Sequence, residues 1–119
     1  MAVETISEGI VKVTLNATSE STEVNVTIAE GESIVITSNF DSGEAEIVTT
    51  TAEGDMTDSC YEGYGISETE IAPGTVTCSI TPTDATGTIF IVSYPTGQLD
   101  FMNNDTEALY NQVVEYVGA

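Results

Sequence analysis

Positive charge is almost missing from this sequence. Of its 119 residues only Lys12 is a Lys or Arg and none is His, against 20 Asp and Glu, so the formal net charge at pH 7 is -19. Internal ion pairs are therefore nearly out of reach. The negative exterior must be screened by salt, bound by cations or met by a basic partner, because like charges within roughly 8 Å still repel at physiological ionic strength. Nucleic acid is excluded as a ligand, since holding a phosphate backbone takes many Lys and Arg side chains. Anionic membrane surfaces are excluded on the same ground.

Other absences narrow the chemistry. Without His the usual proton carrier is gone, and without Arg there is no bidentate clamp for a developing anion. There is no Trp, which removes the aromatic platform that sugar-cleaving clefts normally use, although two suitably spaced acids alone would serve glycoside hydrolysis. No phosphate-cradling Gly-Lys loop, His-Glu-x-x-His or nucleophile elbow occurs. The expectation is a protein that is not an enzyme. No run approaches the roughly 18 apolar residues of a membrane-spanning helix. The stretch from Met1 to Glu8 has neither a basic start nor an apolar core, so no signal peptide is read there.

What is present is the composition of a folded chain: 40% of the residues are hydrophobic and the mean hydropathy is +0.07. The length suits one domain over residues 1–119 with one core. Val11, Val13 and Leu15 alternate with polar neighbours, as do Val24, Val26 and Ile28, and this period of two is that of half-buried strands. Ile34-Val35-Ile36 is a continuous β-branched run, which implies burial on both faces. Asp41-Ser42-Gly43 reads as a turn before a fourth strand through Thr51, and Ala52–Gly63 as a long acidic loop. A short strand is expected over Tyr64–Ile71. Ala72-Pro73-Gly74 and the segment from Pro82 to Gly87 read as further turns, flanking a strand with Val76, Cys78 and Ile80 on one face. Thr88–Tyr94, the most hydrophobic run, is the candidate central strand.

Only the last segment changes period. Leu109, Val113 and Val117 recur every four residues, predicting a helix over about 104–117, with Asn104 as its cap, Glu107 three residues later and Gly118 as its stop. The expected fold class is all-β: an antiparallel β-sandwich, immunoglobulin-like or jelly-roll-like, with a short C-terminal helix and a flexible N-terminal stretch over 1–9.

Candidate sites follow from residue type. Cys60 and Cys78 are a candidate disulfide, worth roughly 3 kcal/mol for a loop of that size; two ordinary buried thiols is the competing reading, and both stay open. Zinc is disfavoured with two thiols and no His. Asp41, Glu44 and Glu46 form one candidate cation-binding cluster, and Glu53, Asp55 and Asp58 another. Neither has a calcium-loop spacing, and in so acidic a chain a solvated face is the better explanation of such groupings. No cofactor is called for beyond calcium or a similar cation. Tyr61 and Tyr64 are candidate partner contacts, because one ring combines apolar area with a hydrogen-bonding tip.

The functional expectation is a structural protein, a virion (phage capsid) decoration or cement protein or another virion surface part, self-associating and seated on a capsid or surface lattice. Two alternatives share the composition: a secreted or cell-surface adhesin or filament subunit, and an acidic, halophilic module that binds carbohydrate or calcium.

Overall fold

A computed structural model describes residues 2–118. In chain order the elements are β1 (Ala2–Ser7), β2 (Ile10–Leu15), β3 (Thr22–Ile28), β4 (Glu32–Thr51), β5 (Gly54–Cys60), β6 (Gly63–Thr69), β7 (Gly74–Pro95) and α1 (Thr106–Val117). Every strand pairing is antiparallel. No helix among the described residues is long and apolar enough to cross a membrane.

The two long strands organise the molecule. β4 and β7 pair with each other from Glu32↔Pro95 to Thr50↔Thr77, and each takes different neighbours along its two halves. Gly74–Ile80 of β7 pairs with β3 while Ala45–Thr51 of β4 pairs with β5, which makes one layer in the order β3-β7-β4-β5. The second half of β7 pairs with β2, which carries β1, and the first half of β4 pairs with β6. The second layer is therefore β1-β2-β7-β4-β6.

Between the layers the ladder bends. Its register shifts between Phe40 and Ser42 and again between Ser42 and Glu44, and such bulges let one strand serve two sheets. Gly43 (φ 76°) and Asp84 (φ 50°) both lie in the left-handed region. A Cβ on Gly43 would run into the Asp84 backbone, and one on Gly87 into the Asn39 carbonyl and Phe40 Cα. The segments Asp41-Ser42-Gly43 and Pro82–Gly87, expected as turns, are instead the corner of two unbroken strands. Both structures call for the same residues, because each needs positive φ and close backbone approach.

The main core fills the space between the layers. Val11, Val13 and Leu15 of β2 face Val24, Val26 and Ile28 of β3, with Ile34, Ile36, Ile47, Ile80, Ile89 and Ile91 from the long strands between them. A second core lies on the outer face of the second layer, where Val35, Phe90, Val92 and Tyr94 are covered by Leu109, Val113 and Val117 of α1. Two-sided burial accounts for the continuous runs at Ile34–Ile36 and Ile89–Val92, and β7 is central as its hydrophobicity implied.

Three expectations are corrected. The stretch 1–9, expected to carry no regular element, holds a strand: Ala2–Thr5 pair with Thr14–Val11 at the sheet edge, while Met1 lies outside the described residues. Most of the segment read as an acidic loop, Ala52–Gly63, is strand β5, whose polar residues are tolerated because it is an edge. The helix is capped by Asp105 and not Asn104: Asp105 Oδ1 accepts from the Ala108 N–H at 2.8 Å, while Asn104 belongs to the preceding turn, its N–H donating to the Asp100 carbonyl. Gly118 ends the helix as expected, at φ 75°, with its N–H shared between the Val114 and Glu115 carbonyls.

Candidate functional site

The outer face of the first layer carries a cleft of about 320 Å³. It begins where β4 leaves the corner, since alternation turns Ala45 and Ile47 inward and Glu44 and Glu46 outward. Thr83 of β7 stands opposite Glu44, and Thr81 opposite Glu46. On the other side of β4, Ser59 is paired with Glu46. Tyr61, just beyond β5 and 62% exposed, completes the wall. Glu46 thus sits in a row of three strands between two hydroxyl residues. Two carboxylates on residues whose backbone positions lie roughly 7 Å apart along the strand, three hydroxyls and one ring offer hydrogen-bond acceptors and a π face. They suit a polyhydroxyl or cationic group and give nothing with which to hold an anion.

The candidate cation clusters are not assembled. Among the described residues no group of three or more His, Cys, Asp or Glu side chains is placed to hold a metal ion. Asp41 lies at the corner and Glu44 and Glu46 in the cleft. In the second cluster Asp55 is exposed beside Thr50, whereas Asp58 pairs with the inward-facing Ile47, and Glu53 stands at the β4–β5 turn beside Pro73 and Gly74. The cause is the strand itself, which sends Asp55 and Asp58 to opposite faces.

Tyr61 and Tyr64 also part company. Tyr61 lines the cleft, while Tyr64 packs edge-on against Tyr110 of α1 with ring centroids 5.3 Å apart, so the two rings do not make one patch. Burial pushes the Tyr110 phenol up.

The candidate disulfide is corrected as well. Cys60 pairs with Ala45 and Cys78 with Thr49, on opposite sides of β4 and four residues apart along it. That is about 13 Å along the strand alone, beyond the roughly 7 Å Cα separation a disulfide can span. Both thiols are free and buried, and burial pushes both up. Cys78 meets the Thr49 hydroxyl at 3.4 Å.

Two features went unread in the sequence. Ser38 Oγ is buried near the Cys60 thiol, which its hydroxyl helps to hold down against burial, yet it makes no hydrogen bond of full geometry among the described residues, at the seam where Cys60 of β5 approaches Gly65 of β6. The turn before α1 projects Phe101 and Met102, the latter 95% exposed. Asp100 braces that turn by accepting from the Asn103 side chain at 2.7 Å and from the backbone N–H groups of Met102 and Asn103, bonds that hold its carboxyl below the usual range. The spacing Asp100-x-x-Asn103 was the available signal.

No family model matches the chain, and no curated protein matches it. Among solved structures, a carbohydrate-binding module described as CBM4 superposes with a TM-score of 0.38 at 10% identity, over 73% of this chain and 71% of that one. An oxalate decarboxylase of Bacillus subtilis gives 0.35 at 12% identity, over 92% of this chain and 34% of that one, so this chain spans about a third of the decarboxylase. Neither likeness assigns a ligand or a reaction.

Proposed function

We propose that this chain is a non-catalytic assembly part of a particle surface, a virion decoration or cement protein that seats on a basic protein lattice. The observation that carries the reading is the disposition of charge. Twenty acids face one cation, Lys12, and that lysine is half-buried with its ammonium 5.7 Å from the centroid of the Phe90 ring. Acids are exposed on both layers, from Glu4, Glu8 and Glu23 to Glu44, Glu46 and Asp55. A surface of one sign with almost no internal complement steers toward, and is neutralised by, a surface of the opposite sign. The reading includes self-association around a symmetry axis and takes its non-catalytic part from the missing His and Arg.

Electron microscopy of the native source tests it directly. The chain is expected at regular positions on a particle and is expected to leave it as salt rises. A chain found only free in solution overturns the reading, and one found in a thin surface filament transfers it to the filament-subunit alternative.

A second reading has its own observation, the cleft of Glu44, Glu46 and Tyr61. Its size falls in the range of small-ligand sites, and its acceptors and ring suit a saccharide. Saturable binding to a glycan array, lost in Tyr61→Ala, would favour a carbohydrate-binding module over an assembly part.

A further inference from the structure

The second layer has one strand more than the first on the β3 side, and that strand is β1. Beyond β7 the first layer offers only β3, whereas the second offers β2 and then β1. Among the described residues no strand faces β1 across the sandwich, and Val3, paired with the fully buried Val13, is itself 45% exposed. All six residues of β1 are exposed. Its far edge presents a row of unpaired backbone N–H and C=O groups.

Proteins normally guard such edges with inward charges, Pro, Lys or a covering element. In this chain β5 has the inward Asp58, and β6 lies against α1 through Tyr64 and Tyr110. β1, with the sequence Ala-Val-Glu-Thr-Ile-Ser, has no Pro and no Lys, and no element among the described residues covers it. Beside it runs an open groove of about 550 Å³ between Val3 and the segment Thr18–Thr22, with Glu20 on its wall. A free edge and a mostly polar groove whose one apolar lining residue is Val3 coincide.

We propose that the free edge of β1 is a strand-addition site for an extended basic segment of a partner protein. Main-chain bonds to β1 would give affinity, small apolar side chains at every second position would lie toward Val3 and the groove, and Lys or Arg at the intervening positions would lie on the opposite face, that of Glu4. At this edge charge selects a basic occupant over a second copy, because a second β1 would bring its own Glu4 up to the same strand, where like charges repel; the self-association of the assembly reading then uses another face. The site rests on the assembly reading and says how the partner is gripped.

The test uses the full chain, ¹⁵N-labelled, with the peptide acetyl-Thr-Val-Lys-Val-Lys-Val-Thr-amide as probe. Saturable binding is expected, with amide exchange slowed at least about tenfold at alternate residues of β1 and nowhere along β5 or β6. The same peptide N-methylated at alternate amides keeps its charge and loses the ladder, and is expected to bind at least about tenfold more weakly, the worth of a net hydrogen bond or so. Val3→Glu, which sets an acid on the groove wall, is expected to weaken the parent peptide similarly.

Equal binding of the methylated peptide overturns the proposal in favour of charge adsorption alone. So does protection of β1 that grows with protein concentration and needs no peptide, because a second copy then occupies the edge. A Val3→Glu chain that loses the peptide but keeps its place on the particle removes this site and leaves the assembly reading intact. An edge that binds the peptide on a chain never found on particles does the reverse.

Discussion

The Ser93 hydroxyl donates to a Glu32 carboxylate oxygen at 2.6 Å, and the same Ser93 oxygen accepts from the Ala29 N–H at 3.0 Å. Around this pair the Ser93 N–H donates to the Gly9 carbonyl and the Tyr116 hydroxyl donates to the Ser93 carbonyl. One residue of β7 thereby ties the β1–β2 turn, the β3–β4 link and the end of α1. Ser93→Ala strands the Ala29 N–H and one Glu32 oxygen in a site where Ser93 is 4% exposed. The expected cost is about 1–3 kcal/mol, read as a lower melting temperature, while Ser93→Thr, which keeps the hydroxyl, recovers part of it.

The corner supplies a sharper comparison. Gly43→Ala and Gly87→Ala each place a Cβ against backbone that cannot move aside, and each is expected to cost at least about 2 kcal/mol. Gly31→Ala has the same left-handed strain (φ 79°) with open space around the added carbon, so about 1 kcal/mol is expected there. Urea titration with an unchanged slope separates the two cases by midpoint alone. Equal midpoints for all three variants would mean that the close approach at the corner contributes nothing.

The thiols give a redox and a pH prediction. Since Cys60 and Cys78 are free, dithiothreitol should leave the melting temperature unchanged, and both thiols should react with Ellman's reagent only on unfolding. Burial raises both thiols in the folded chain, and the Tyr110 and Tyr116 phenols with them. As pH rises the unfolded chain therefore loses these protons first. The stability they contribute is complete below the ordinary thiol value of about 8.5 and declines as pH climbs through it. Thermal melts across that range should show a falling midpoint, and Cys60→Ala/Cys78→Ala should flatten the fall even though it lowers the neutral value.

Much of this architecture was readable from spacing. The alternation at Val11–Leu15 and Val24–Ile28 marked β2 and β3, and the Leu109, Val113, Val117 stripe marked α1, because each element buries one regular face. The unread parts are those where a strand lacks that regularity. β5 places Asp58 inward at an edge, so its pattern resembles a loop. β1 buries nothing, and so leaves no hydrophobic period of its own. The corner uses turn residues inside strands, and sequence alone does not distinguish a reversal from a bend. The cleft was half visible: Glu44, Glu46 and Tyr61 stood out as residues, but only the pairing of β4 with β5 and β7 brings them together with Ser59, Thr81 and Thr83.

Because β4 and β7 each run through both layers, the molecule is closer to a folded strap than to two stacked plates. The two layers share their central strands and are expected to unfold together. A load applied to the second layer is thus passed to the first, and the two are expected to yield in a single step.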